Sequence, residues 1–215
     1  MINKLPGESS EFPELDRAGK TFTVNRLDTP VSGCQLLAKT REAAAFLNAE
    51  FSNHVFCGNN QGKGRVKKRY WAIIEAPDSE TFMKGEWKEL VHWIAPLSGQ
   101  NKSIAFAKEK LNAKKASLFY RLAGKGDRYL FVEVDLVTGR HHQIRAQFVA
   151  EGLHIKGDLK YGSKRSERGG GIRLHAFSLA FPNPLNPTEM IKAKALPPTM
   201  DALWEAFAEV AEVIL

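Results

Sequence analysis

Apolar and polar positions alternate along much of the chain. From Lys67 to Glu75, Tyr70, Ala72 and Ile74 fall on one side while Trp71 and Ile73 fall on the other, the two-residue period of a strand. Tyr129 to Val137 alternates in the same way, with Leu130, Val132, Val134 and Leu136 sharing a side. Ser32 to Lys39 is an apolar run opened by Gly33, which predicts one strand. Shorter strands are predicted near 87–94, 102–107 and 116–122, and a further pair at 173–181 and 189–194 flanks the turn Pro182-Asn183-Pro184. The period becomes helical over 41–53, where Ala44, Ala45, Phe46, Leu47 and Phe51 recur at helical spacing. A second helix is expected from about 141 to 151, stopped by Gly152, and a third from about Met200 to Val213, with Leu203, Trp204, Phe207 and Val210 at helical intervals. Strands dominate and helices punctuate them, so the expectation is an α+β fold with a mixed, largely antiparallel central sheet flanked by helices and loops. The first 20 residues, rich in turn formers (Pro6, Gly7, Pro13, Gly19), are expected to wrap the surface.

At 215 residues and 43% hydrophobic content the chain can bury a sizeable core. It carries 31 Lys and Arg against 24 Asp and Glu, a formal net charge of +7. Gathered on one face, such a surplus attracts polyanions. Cys34 and Cys57 form neither a C-x-x-C pair nor a disulfide framework, so reduced, partly buried thiols are expected. No apolar run approaches the ~18 residues of a membrane helix, and no signal-peptide pattern opens the chain, so a cytoplasmic protein away from membranes is expected.

Four clusters carry candidate chemistry. In Asn25-Arg26-Leu27-Asp28, ahead of the Ser32 strand, an Arg two positions from an Asp can contact a phosphate while the carboxylate faces a reacting centre; a surface ion pair or turn is the bland reading. The segment 61–70 holds Lys63, Arg65, Lys67, Lys68 and Arg69 with no acid, and leads into Tyr70. Cations beside an aromatic suit RNA, phosphates pairing with the charges while a base stacks on the ring. Gly139-Arg140-His141-His142-Gln143-Ile144-Arg145 sits at a strand–helix junction, where a helix beginning near 141 would set His141 and Arg145 one turn apart on a shared face. The fourth cluster runs from Gly157-Asp158 to Tyr161-Gly162 and on to Arg173-Leu174-His175-Ala176, with Asp158 expected to cap or tie its loop.

Other chemistries find no support. The histidines show no zinc-ligand spacing, and neither a Walker A motif nor G-x-G-x-x-G is present. Glu133 and Asp135 could pass for a carboxylate pair but read as the wet side of a half-buried strand.

In this order the clusters resemble the RluA family of pseudouridine synthases. Its H-R-L-D-x-x-T-S-G motif is similar to Asn25-Arg26-Leu27-Asp28-Thr29-Pro30-Val31-Ser32-Gly33, and its K-x-Y strand to Lys68-Arg69-Tyr70. Its T-G-R-T-H-Q-I-R is similar to residues 138–145, and its G-D-x-x-Y-G and R-L-H-A elements stand at 157–162 and 173–176. Asn25, Val31 and His141 depart from the usual His, Thr and Thr. The resemblance implies isomerisation of uridine in ribosomal or transfer RNA, with no cofactor and no metal. Asp28 would be the essential carboxylate, Arg145 its salt-bridge partner, Tyr70 the ring against the target base and Leu174 part of the pocket wall. Arg26, Lys67, Lys68, Arg69, Arg140, His142 and Gln143 would contact RNA. A single catalytic domain over 1–215, without an S4-type RNA-binding domain in front, is expected to act as a monomer. The rival classes are a non-catalytic RNA-binding module or RNA chaperone, and a hydrolase of N-glycosidic bonds that releases the base.

Overall fold

The computed structural model describes residues 1–11, 21–52, 66–76, 85–167 and 169–211. Its centre is a ten-stranded sheet built from β1 (Ile2–Lys4), β3 (Ser32–Gln35), β5 (Lys67–Glu75), β6 (Lys88–Leu97), β7 (Lys102–Phe106), β8 (Lys114–Lys125), β9 (Tyr129–Leu136), β10 (His154–Ile155), β11 (Leu174–Asn183) and β12 (Asn186–Lys194). A separate two-stranded sheet pairs β2 (Phe22–Thr23) with β4 (Leu37–Ala38). The main order is β1-β3-β11-β5-β9-β8-β6-β7, with β10 beside β5 and β12 beside β11. Only the β3–β11 pairing is parallel; the rest are antiparallel, the predicted mixed sheet.

Helices α1 (Arg41–Ser52) and α2 (Gln143–Ala150) cover one face and α3 (Ala202–Val210) part of the other. The alternation in β5 therefore splits between two cores. Tyr70, Ala72 and Ile74 pack with Leu47, Ile144 and Phe148, whereas Trp71 and Ile73 pack with Trp204 and Phe207. Trp71 stacks on Phe177 at 4.0 Å and meets Phe207 at 4.7 Å, an aromatic layer that pins α3 to the sheet. Gly152, at φ 72, ends the α2 segment where a left-handed residue was expected. Among the described residues no helix is long and apolar enough to cross a membrane.

Four expectations need correction. The Ser32–Lys39 run is two strands, because Leu36 bonds to the Asn25 carboxamide (Leu36 N–H to Oδ1, 2.7 Å) at the break and the chain then joins the second sheet. The start of the chain contributes a sheet strand, β1 pairing with β3, in addition to surface turns; residues 12–20 lie outside the described residues, as do Cys57, Lys63 and Arg65. Helix α2 starts at Gln143, not 141, because His142 takes a left-handed conformation (φ 53), so His141 does not share a helical face with Arg145. Glu133 and Asp135 are buried rather than wet. They stand in cross-strand register with Trp71 and Arg69, and Arg69 and Arg121 pair with the two acids beneath the Trp87 ring.

Candidate active site

Asp28 sits on a turn whose backbone is held from several directions. Val31 N–H donates to the Asp28 carbonyl at 2.9 Å, and Ile172 N–H donates to the Pro30 carbonyl at 3.1 Å. Ser10 grips Leu27 twice: its hydroxyl donates to the Leu27 carbonyl and accepts the Leu27 N–H, at 2.8 and 2.9 Å. The side chain of Lys4, fully buried, donates to the carbonyls of Leu5, Glu8 and Thr29. Burial pulls the Lys4 ammonium down to about 8, partly offset by Glu8 and Asp28. Sequence reading missed Ser10 and gave Lys4 no role beyond its place in Asn3-Lys4-Leu5-Pro6-Gly7, which resembles the family's Asn-Lys-Pro-like turn; a buried lysine beside the Asp loop leaves no periodic trace.

The following strand is locked to the R-L-H-A element. Ser32 pairs with His175 and Gly33 with Ala176 in the parallel β3–β11 ladder. At Gly33 (φ 118) a Cβ would lie 2.3 Å from the Ala176 carbonyl oxygen, so only glycine fits this approach. His175 is fully buried, with Nε2 2.8 Å from the Ala195 carbonyl and Nδ1 2.8 Å from the Ser32 hydroxyl. A carbonyl cannot donate, so Nε2 carries the hydrogen and Nδ1 accepts from Ser32. This neutral tautomer agrees with a pKa lowered by burial to about 4.

Arg145 comes to Asp28 from α2, 117 residues away in sequence. Its Nη1 donates to Asp28 Oδ2 at 3.2 Å, while Nε and Nη2 form a fork on Asp158 at 2.6 and 2.8 Å. Burial opposes the guanidinium charge, but Asp158 and then Asp28 outweigh it and hold the pKa above the ordinary arginine value. Asp158, expected to tie its own loop, makes no side-chain cap there and instead clamps Arg145. The Tyr161 ring lies 4.7 Å from the Arg145 guanidinium carbon, its hydroxyl bonded to Ser103 and to His142 Nδ1. His142 Nε2 is 3.8 Å from Asp28 Oδ2; burial, then Arg145, lowers the ring to about 3, so it is neutral near pH 7.

Asp28, Tyr70, Leu174 and Arg145 meet in one pocket with Arg26, Arg140, Gln143 and Ile144. A wider cleft opening from it adds Lys68, His141 and His142. Tyr70 is buried, and burial followed by the nearby Asp28 raises its hydroxyl, so the phenol is protonated near neutral pH. Lys68 is buried on the same side of β5, lowered by burial to about 8. Arg26 is exposed at the rim, pairing with Glu11. The other basic residues of β5 do not line this cleft: Arg69 faces the outer side with Asp135 and Trp87, and Lys67 shares that side by alternation. Gln143 uses its carboxamide inside the protein, accepting from Thr138 and the Arg140 N–H and donating to the Ser117 carbonyl. Among the described residues no cluster of His, Cys, Asp and Glu is arranged to hold a metal.

A carboxylate fixed by a guanidinium, walled by a tyrosine and a leucine at the floor of a basic cleft, defines a site suited to a flipped-out base of a polynucleotide. The RNA pseudouridylate synthase family model matches residues 6–150, and the chain belongs to that family, in its RluA branch. Ribosomal large subunit pseudouridine synthase C of Vibrio parahaemolyticus is 28% identical over 170 residues, covering 76% of this chain and 48% of that protein. tRNA pseudouridine synthase C of Haemophilus ducreyi is 30% identical over 185 residues, covering 76% of this chain and 67% of that protein. The chain spans about half to two thirds of the length of the first relatives it matches. The solved structure of human RNA pseudouridylate synthase domain containing 1 shares the fold, with a TM-score of 0.67 at 23% identity over 93% of this chain and 80% of that one.

Proposed function

We propose that this chain isomerises uridine to pseudouridine in RNA, with Asp28 as the essential carboxylate and no cofactor. The reaction breaks the N-glycosidic bond, turns the base and rejoins it through carbon, with no net change in oxidation state. The observation that carries the reading is Asp28 Oδ2 at 3.2 Å from Arg145 Nη1, in a pocket shared with Tyr70 and Leu174. A guanidinium that is itself clamped holds the carboxylate in one place, so little reorganisation is needed when a nucleotide arrives. Tyr70 offers a ring for the target base and a phenol that is a donor at neutral pH rather than a base. Leu174 supplies apolar wall. Arg26, Lys68 and Arg140 at the cleft contact the phosphates and fold the strand toward Asp28.

The relatives named above act, by their names, on large-subunit ribosomal RNA and on transfer RNA, so structured RNA of those kinds is the substrate class. The test is a map of pseudouridine in total RNA from cells with and without the chain, repeated with Asp28→Asn. The expected result is sites present only with the parent. Turnover by the Asn variant refutes the assignment of Asp28, free uracil instead of retained 5-ribosyluracil marks a glycosidic hydrolase, and RNA binding without either product marks a binding module.

A further inference from the structure

The sheet carries a second aromatic and basic surface, away from the cleft. Leu90, His92 and Ile94 of β6 point toward α2, where His92 meets Gln147 and Glu151. By alternation Val91, Trp93 and Ala95 point the other way. On that side Trp93 stands in direct register with Phe106 of β7 on one flank and Lys115 of β8 on the other. Lys110 adds a second cation, its ammonium 4.3 Å from the centre of the Phe106 ring. Trp93 and Phe106 are both half-buried, and neither belongs to either core cluster. Helix α3 covers this face over Trp71, Phe131, Phe177 and the Ala123–Gly124 end of β8, the opposite end of that strand from Lys115.

A row of cation, indole, phenyl ring and cation on one face of a sheet is an arrangement that can receive unpaired bases: rings take the base faces and ammonium groups take the flanking phosphates. Charge favours the same partner, since residues 108–115 carry Lys108, Lys110, Lys114 and Lys115 against the single acid Glu109. The surface lies on the other side of the sheet from the cleft, and the two come near each other at β8. Arg140, which lines the pocket beside Asp28, reaches out and donates from Nε to the Lys115 carbonyl at 3.2 Å. A strand leaving the cleft past Arg140 and rounding β8 there reaches the Lys115 side chain first and the aromatic pair next.

We propose that Trp93 and Phe106, with Lys110 and Lys115, form an auxiliary platform for unpaired nucleotides of the RNA whose uridine occupies the Asp28 pocket. The proposal rests on the function assigned above, and it gives this domain a hold on RNA outside the reaction site. It ties substrate choice to a single-stranded stretch flanking the target.

The test measures binding of an oligouridylate of about twelve nucleotides, within the length that single-stranded sites cover, to the full chain by fluorescence anisotropy. The parent is compared with Trp93→Ala/Phe106→Ala and with Lys110→Ala/Lys115→Ala, all in the Asp28→Asn background so that turnover does not intrude. Base stacking on a ring predicts a loss of between about five- and 140-fold per ring. Loss of two phosphate contacts predicts a salt slope shallower by about 1.4. Trp93→Phe keeps a ring and should retain most of the affinity, which separates stacking from damage to the fold. Unchanged affinity in the double ring variant overturns the platform, as does an equal loss for single-stranded and fully duplex RNA. So does a parent dimer that the ring variant dissolves with RNA affinity intact, since the face would then belong to a second copy. Pseudouridine formation, scored separately with Asp28 restored, judges the catalytic assignment on its own.

Discussion

The clamp on Arg145 can be tested by Asp158→Ala. The guanidinium and the Asp158 carboxylate are 4% and 2% exposed, joined by bonds of 2.6 and 2.8 Å. Deleting the acid leaves a buried cation with one remaining acidic partner, Asp28, at 3.2 Å and on one nitrogen only. Two charge-assisted hydrogen bonds contribute about 1.5–3 kcal/mol each, and breaking a buried pair from one side costs about 3–5 kcal/mol. Global stability of a domain is about 5–15 kcal/mol, so the variant should fold but unfold far more readily. With about 2–4 °C per kcal/mol for a domain of this size, the melting temperature should fall by roughly 6–20 °C. Single-turnover rates should fall as well, because an unclamped guanidinium can follow Asp28 out of the productive geometry. Chemical denaturation combined with a single-turnover pseudouridine assay measures both. The double variant Asp158→Ala/Arg145→Met should regain much of the stability, since an apolar replacement of both partners removes the stranded charge, yet remain inactive. An Asp158→Ala protein within about 0.5 kcal/mol of the parent, the scatter of an ordinary surface substitution, would refute the clamp.

Three further outcomes follow from the same geometry. His142 and His175 have folded-state pKa values of about 3 and 4 against 6.5, so below pH 6.5 the unfolded chain takes up two protons that the folded chain refuses. Stability is thus fully present above pH 6.5 and lost as pH falls, by about 3 kcal/mol at pH 5.5; a flat denaturation midpoint from pH 7 to 5 contradicts it. Gly33→Ala should destabilise by more than about 2 kcal/mol in urea melts, combining a left-handed φ with a Cβ 2.3 Å from the Ala176 oxygen; a neutral result would mean β3 can move off β11 at small cost. Tyr70→Phe should keep RNA affinity and slow turnover in single-turnover assays, and a rate equal to the parent's reduces Tyr70 to a platform.

The strands and the order of the motifs were legible in the chain, because a two-residue period directly reports that successive side chains face opposite ways. β5 shows this cleanly, its two sets of side chains entering two different cores. The same period misled at Glu133 and Asp135. Alternation says that two side chains share a face, but not what else stands on it, and here two arginines and Trp87 from neighbouring strands cover the acids. The period does put Lys68 and Arg69 on opposite sides, so reading both as one basic patch went against it; what it could not tell is that Lys68's side is the cleft.

The residue types of the site, Asp28, Tyr70 and Arg145, were visible as local motifs, since each motif is a short stretch of contiguous chain. Their meeting was decided in three dimensions. The guanidinium reaches Asp28 across 117 residues because the parallel β3–β11 pairing, with its glycine contact, sets the Asp28 turn beside the start of α2. Asp158 as clamp and Lys4 as anchor of the turn came only from the tertiary structure. Both act by satisfying buried charge and buried carbonyls, and that demand exists only after the chain has closed over them.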